Sequence, residues 1–260
     1  NFGEPIQLSQ FLESHVPDWR ECRDAEPEKK PAWLTPAVNA LANDVMTRIN
    51  RAAALNGMAL TSLCLLSSKT QTMSESELKR ALSDFMTLFK AVPFSEDATV
   101  PDVSAETLLR DTLKLGRFNV EEDDYGRLIS PQPKSAVYLT YYRNNILHLM
   151  ALPSVIACCF INKRSLPEKD IIQLLTMVYP FLQSELFLPL KQEELAGAIR
   201  NVLDVMCDQG LLERKEADAS YSRRSFGTLR FAQINLLARI ISPTLEVYYL
   251  TLALLARSGS

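Results

Sequence analysis

Residues 138–154 read YLTYYRNNILHLMALPS. This stretch sets Tyr141, Tyr142, Arg143, Asn144, Asn145 and His148 into an otherwise apolar run. An imidazole can move a proton, a guanidinium can hold a carboxylate or phosphate, and amides and phenols donate and accept hydrogen bonds. On a helix, Tyr141, Asn144, Asn145 and His148 fall at three- and four-residue steps and share one side, with Tyr142 and Arg143 further round. An arginine in such surroundings must be paired or must reach water. Two readings stand. One is an internal hydrogen-bond network that fixes how helices pack. The other is an anion or partner contact centred on Arg143. The pattern alone favours the network.

His148 has one companion in the chain, His15. No histidine lies three or four residues from either, so metal-ligand spacing on a helix face is absent. No glycine-flanked serine elbow occurs. A single histidine on an apolar face reads as a satisfied core group rather than a catalytic base. The acidic run EEDD at 121–124 reads as a solvated turn, not a metal site. No cofactor is implied.

The elements that must position these residues are helical. The 260 residues hold 8 glycines and 47% hydrophobic residues, a profile that favours helix over sheet. The net charge of -3 argues against a dedicated nucleic-acid binder. The cysteines are Cys22, Cys64, Cys158, Cys159 and Cys207, odd in number and without a CxxC pair, so buried free thiols in a reducing compartment are expected. The chain starts at Asn1 with no signal-peptide layout and is expected to be a fragment or processed product. No window of about 18 clean apolar residues predicts a spanning helix.

Residues 1–35 read as an arm or linker, charged and proline-rich, with Trp19 and Trp33 to pin it on a neighbouring surface. Residues 36–134 form a first helical subdomain and 135–260 a second. Ala37, Leu41, Val45 and Ile49 recur at helical spacing. AAALNGMALTSLCLLSS is apolar on nearly every side and predicts a central helix. In MSESELKRALSDFMTLFKAV, Leu78, Leu82, Phe85, Met86 and Phe89 form a stripe, and Ser74 with Glu77 has capping-box spacing. Ser165 with Glu168 has the same spacing. The opening stretch predicts one or two buried helices broken near Pro153. A further helix is expected before Gly210, and two more, LRFAQINLLARIIS and PTLEVYYLTLALLA, at the end. The fold class expected is mainly α, a multi-helix, bundle-like region with a small β-hairpin.

That hairpin, near 211–226, follows a helix and a glycine, the layout of a winged helix. Arg223 and Arg224 could then touch phosphate. Glu193, Glu194 and Asp204 on the preceding helix would repel DNA, so the hairpin is expected to be structural.

Several blocks resemble the region C-terminal to the catalytic domain of bacterial glycerol-3-phosphate acyltransferases. They are NFGEPI, PAWLTPAVNALANDVMTRINRAAALNGMALTSLCLLSS, VPFSEDATVP, TYYRNNILHLMALPS and YPFLQSELFL, in the family's order, to about residue 215. The family's HxxxxD motif, in which histidine deprotonates the acceptor hydroxyl, is absent: Arg20 stands five after His15 and Pro153 five after His148. The resemblance implies a non-catalytic part whose partner is an upstream acyltransferase domain of the same polypeptide. It implies acyl-CoA or acyl-ACP and glycerol-3-phosphate as substrates of the whole enzyme. It also implies a peripheral place on the cytoplasmic side of a bacterial inner membrane, and no nucleic acid. Arg143 and its neighbours would then serve either the substrate groove or the contact with that domain.

Overall fold

The computed structural model describes residues 3–21, 30–124 and 126–258. Among them are ten helices and two small sheets. In chain order the helices are α1 (Leu8–His15), α2 (Leu34–Arg51), α3 (Gly57–Ser67), α4 (Glu75–Ala91), α5 (Ala105–Leu113), α6 (Ala136–Leu147), α7 (Ala151–Cys159), α8 (Glu168–Leu186), α9 (Gln192–Asp208) and α10 (Leu229–Ser258). The strands are β1 (Met73–Ser74), β2 (Phe118–Asp123), β3 (Gly126–Pro131), β4 (Ser165–Pro167), β5 (Leu212–Lys215) and β6 (Ser220–Arg223).

α3 is the axis of the structure. Its apolar residues face every direction, and Leu60, Leu63, Cys64 and Leu65 are fully buried. Such a helix needs neighbours all round, and α4, α5, α6 and α10 supply them. Asn56 caps its start by accepting from the Ala59 N–H. α4 buries Leu78, Leu82, Phe85, Met86 and Phe89, the stripe expected from spacing, behind a complete Ser74–Glu77 capping box. α10 packs along α7, and one buried core runs from Leu55 to Ile241.

Both sheets are antiparallel, ordered β1-β3-β2 and β4-β6-β5. The second contains the expected hairpin. The first shows that Glu121, Glu122 and Asp123 belong to strand β2 rather than to a turn; only Asp124 lies in the turn. All four acidic residues are exposed.

Three other expectations need correction. Ser165 does not cap α8, because it is committed to β4 and Pro167 holds the N-cap position without a side-chain bond. The opening stretch breaks at a 3-10 turn, His148–Met150, rather than at Pro153. Pro153 sits in the first turn of α7, where a missing N–H leaves no bond unmade. The two terminal segments are one helix, α10, with Pro243 inside it. Arg239 and Pro243 are both exposed, so the proline lies on the solvent side of the helix. The stripe on α2 is largely uncovered: Ala37 is buried, whereas Val45 and Ile49 are exposed.

Of the thiols expected to be buried, Cys64 is buried, whereas Cys158, Cys159 and Cys207 are half-buried; Cys22 lies outside the described residues. No helix of the described residues is long and apolar enough to cross a membrane.

Candidate functional site

α6 turns its leucines and isoleucine inward. Leu139 and Ile146 are fully buried against the core, and Leu147 nearly so. The helix therefore presents the polar residues between them outward. Tyr141 is 62% exposed, Asn144 and Asn145 are exposed, and Tyr142 and Arg143 are half-buried. The Tyr141 and Tyr142 rings meet edge to face, 5.8 Å between centroids. Arg143 Nε and Nη2 both donate to Asn144 Oδ1, at 3.1 and 2.9 Å. Arg143 makes no salt bridge among the described residues, and partial burial lowers its pKa. It is a partly desolvated cation with an amide neighbour and no anion in contact.

His148 is separated from this group. The 3-10 turn that follows α6 swings it inward, and it is 5% exposed. Its Nε2–H donates to the backbone oxygen of Asn50 at 3.1 Å, and its ring meets Phe94 edge-on at 5.0 Å. The carbonyl can only accept, so the proton sits on Nε2. Burial pushes the pKa of His148 down to about 4, partly offset by the Asn50 bond. Asn50 itself donates through Nδ2 to the oxygen of Leu186 at 2.7 Å. One asparagine thus joins the end of α2 to the α6–α7 turn and to the end of α8.

His148 also lines an apolar cavity of about 150 Å³ with Phe94, Leu152, Tyr179 and Pro189. The Tyr179 hydroxyl donates to Leu190 O at 3.0 Å, and burial raises its pKa to about 12. No carboxylate lines this cavity to orient the imidazole. His15 stacks on Phe11 at the surface end of α1, with Nδ1 2.9 Å from Phe11 O. No group of three metal-ligating side chains occurs among the described residues.

Of the two hairpin arginines, Arg223 is not available to a nucleic acid. Arg223 is 2% exposed; its Nε donates to Phe160 O at 2.7 Å, and its guanidinium lies over the rings of Phe226 and Phe231. Arg224 pairs with Glu213. The nucleic-acid alternative thus loses one of its two expected contacts, Arg223, to the packing of the hairpin.

Sequence reasoning located α6 and missed Asn50. A lone asparagine near a helix end carries no pattern, and its partners stand 98 and 136 positions away. It also missed a group of cations, Lys69, Arg80 and Arg239, that line a cleft of about 490 Å³.

A family model described as the glycerol-3-phosphate acyltransferase C-terminal region matches residues 1–260. The chain is similar to proteins named glycerol-3-phosphate acyltransferase. It is 63% identical to that of Alteromonas mediterranea over 98% of its length, and 45% identical to that of Pseudoalteromonas atlantica over 99%. With that of Shewanella oneidensis it shares 41% identity over 98%. It spans 31% of the length of each of these curated relatives.

Proposed function

The chain belongs to the glycerol-3-phosphate acyltransferase family as its C-terminal region, and on that premise we propose that it is the non-catalytic part of a glycerol-3-phosphate 1-O-acyltransferase. The whole enzyme moves a fatty acyl group from the thioester of acyl-CoA or acyl-ACP to the 1-hydroxyl of sn-glycerol 3-phosphate, making lysophosphatidate. The observation that carries this reading is the full-length family match combined with the missing HxxxxD spacing at both histidines. The general base and its aspartate are then supplied by an upstream domain of the same polypeptide.

Two surfaces support a contact with that domain. Arg143 offers a half-desolvated guanidinium to a carboxylate or a substrate phosphate. α2 offers Val38 and Ile49, each more than half exposed, on a helix that buries Ala37 alone. Arg143→Ala in the longer enzyme separates domain contact from substrate contact. A large fall in melting temperature with an unchanged KM for glycerol-3-phosphate refutes the substrate role. A raised KM with unchanged melting refutes the domain role.

A peripheral position at the cytoplasmic face of a bacterial inner membrane is supported by the end of α10. Val247, Tyr249, Leu250, Leu252, Leu254 and Leu255 are all more than half exposed. They point to every side of the helix, and Thr251 returns its hydroxyl to Val247 O at 2.8 Å. From Val247 to Ala256 this end is ~15 Å long at 1.5 Å per residue, about half of the hydrocarbon core. That suits one leaflet.

The deciding experiment is palmitoyl transfer from palmitoyl-CoA to glycerol-3-phosphate by this chain alone and with the upstream part added. Activity only in the mixture is expected. Activity from this chain alone would overturn the assignment of a non-catalytic role.

A further inference from the structure

A cleft of about 490 Å³ lies between the end of α3, the first turns of α4 and the first half of α10. Its rim carries Lys69, Arg80 and Arg239. All three are exposed, and none makes a salt bridge among the described residues.

The acidic groups nearby are already committed. Glu77 lines the cleft but turns back on Ser74, accepting from its N–H at 3.1 Å and its hydroxyl at 2.8 Å. Asp84 lies behind the rim, where Gln233 donates to it. It feels Arg230 and Arg80 electrostatically without forming a salt bridge to either. The charge at the mouth is therefore positive in excess. Thr70, Thr72 and Asn235 add hydroxyl and amide groups, whereas Met73, Ala81 and Leu236 provide apolar lining.

We infer that this cleft binds a phosphate ester, with the phosphate held by Arg80, Arg239 and Lys69 and the organic part lying on the apolar lining. Guanidinium groups match a phosphate through two-pronged hydrogen bonding, and the volume falls in the range of small-molecule sites. Lys69, Arg80 and Arg239 come from the loop after α3, from α4 and from α10 and line one concavity, so no sequence motif announces it. The inference is independent of which domain performs acyl transfer. Its ligand has two possible sources: a free phosphate ester in solution or the headgroup of an anionic lipid.

The test is calorimetric titration of this chain with hexyl phosphate as probe, beside inorganic phosphate and hexanol. Saturable binding of hexyl phosphate is expected, tighter than that of either half alone. The double variant Arg80→Gln, Arg239→Gln should weaken it about tenfold or more, as expected for loss of charged hydrogen bonds. Arg200→Gln, which breaks a pair with Glu168 elsewhere, should leave it unchanged. Melting curves establish that each variant is folded. Absence of saturable binding by the unaltered chain, or full binding by the folded double variant, overturns the inference. Vesicles of phosphatidylcholine with and without phosphatidic acid then identify the source. Competition by the phosphatidic acid vesicles, and not by phosphatidylcholine alone, identifies a lipid headgroup. Binding of hexyl phosphate without such competition identifies a free ester.

Discussion

The imidazole of His148 and the backbone oxygen of Asn50 stand 98 positions apart in the chain and 3.1 Å apart in the fold. This bond, with the Asn50 amide on Leu186 O, ties three helix ends together around a proton that His148 must keep on Nε2. Burial, not this bond, makes folding depend on a neutral imidazole, because an imidazolium would make the same bond.

That dependence has a pH signature. The folded pKa of His148 is about 4, below the ordinary 6.5. Between these values the unfolded chain binds a proton that the folded chain does not, so stability rises with pH across the window. Acidification from pH 7 should remove up to about 3 kcal/mol, most of it lost between pH 6.5 and 4. Denaturant melts of the native chain and of His148→Phe at several pH values check this. A slope equal in both would refute it.

Gly57 opens α3 against α5. A Cβ at this position would fall inside the Thr112 hydroxyl and press on Leu108. Gly57→Ala should destabilise the fold by about 1–3 kcal/mol, as overpacking does. Thr112→Ala removes the obstructing oxygen, so the double variant should be more stable than the two single losses added together. Additive losses would show that the close approach is not the cause.

Arg223 is buried without an acidic partner and is satisfied by the carbonyls of Phe160 and Arg224 and by two aromatic faces. Arg223→Ala should cost about 3 kcal/mol or more, through lost charged hydrogen bonds and cation–π contacts. Arg223→Lys should recover little, because an ammonium cannot lie flat between rings while donating to two carbonyls. Chemical denaturation measures both.

Thiol chemistry should be slow in the folded chain. Burial raises Cys158, Cys159 and Cys207 to about 11 and Cys64 higher still. The thiolate fraction of those three falls about 100-fold below that of an ordinary thiol, and alkylation slows with it. Peptide mapping after iodoacetamide treatment, with and without denaturant, should show the four sites labelled fully only on unfolding.

Much of the framework was legible because it is local. The all-apolar run of α3, the stripe and capping box of α4, and the glycine after α9 act over a few residues, and periodicity and cap chemistry report them directly. The mistaken points were local signals overruled by neighbours. Ser165 had the spacing of a cap, but strand pairing with Ser222 claims its backbone. Pro243 looked like a terminator, yet α10 continues through it along α7.

The sequence by itself determined that the chain is helical and that Arg143 and His148 share one short segment. Only tertiary structure decided that the segment divides, with Arg143 at the surface beside Asn144 and His148 turned inward onto Asn50. The same holds for the cleft, whose cations come from the loop after α3, from α4 and from α10. Helix period and caps are set by nearest neighbours along the chain. A cavity, a buried hydrogen bond across 98 positions or a ring of charge is set by how those helices pack, and packing brings together residues that no spacing rule connects.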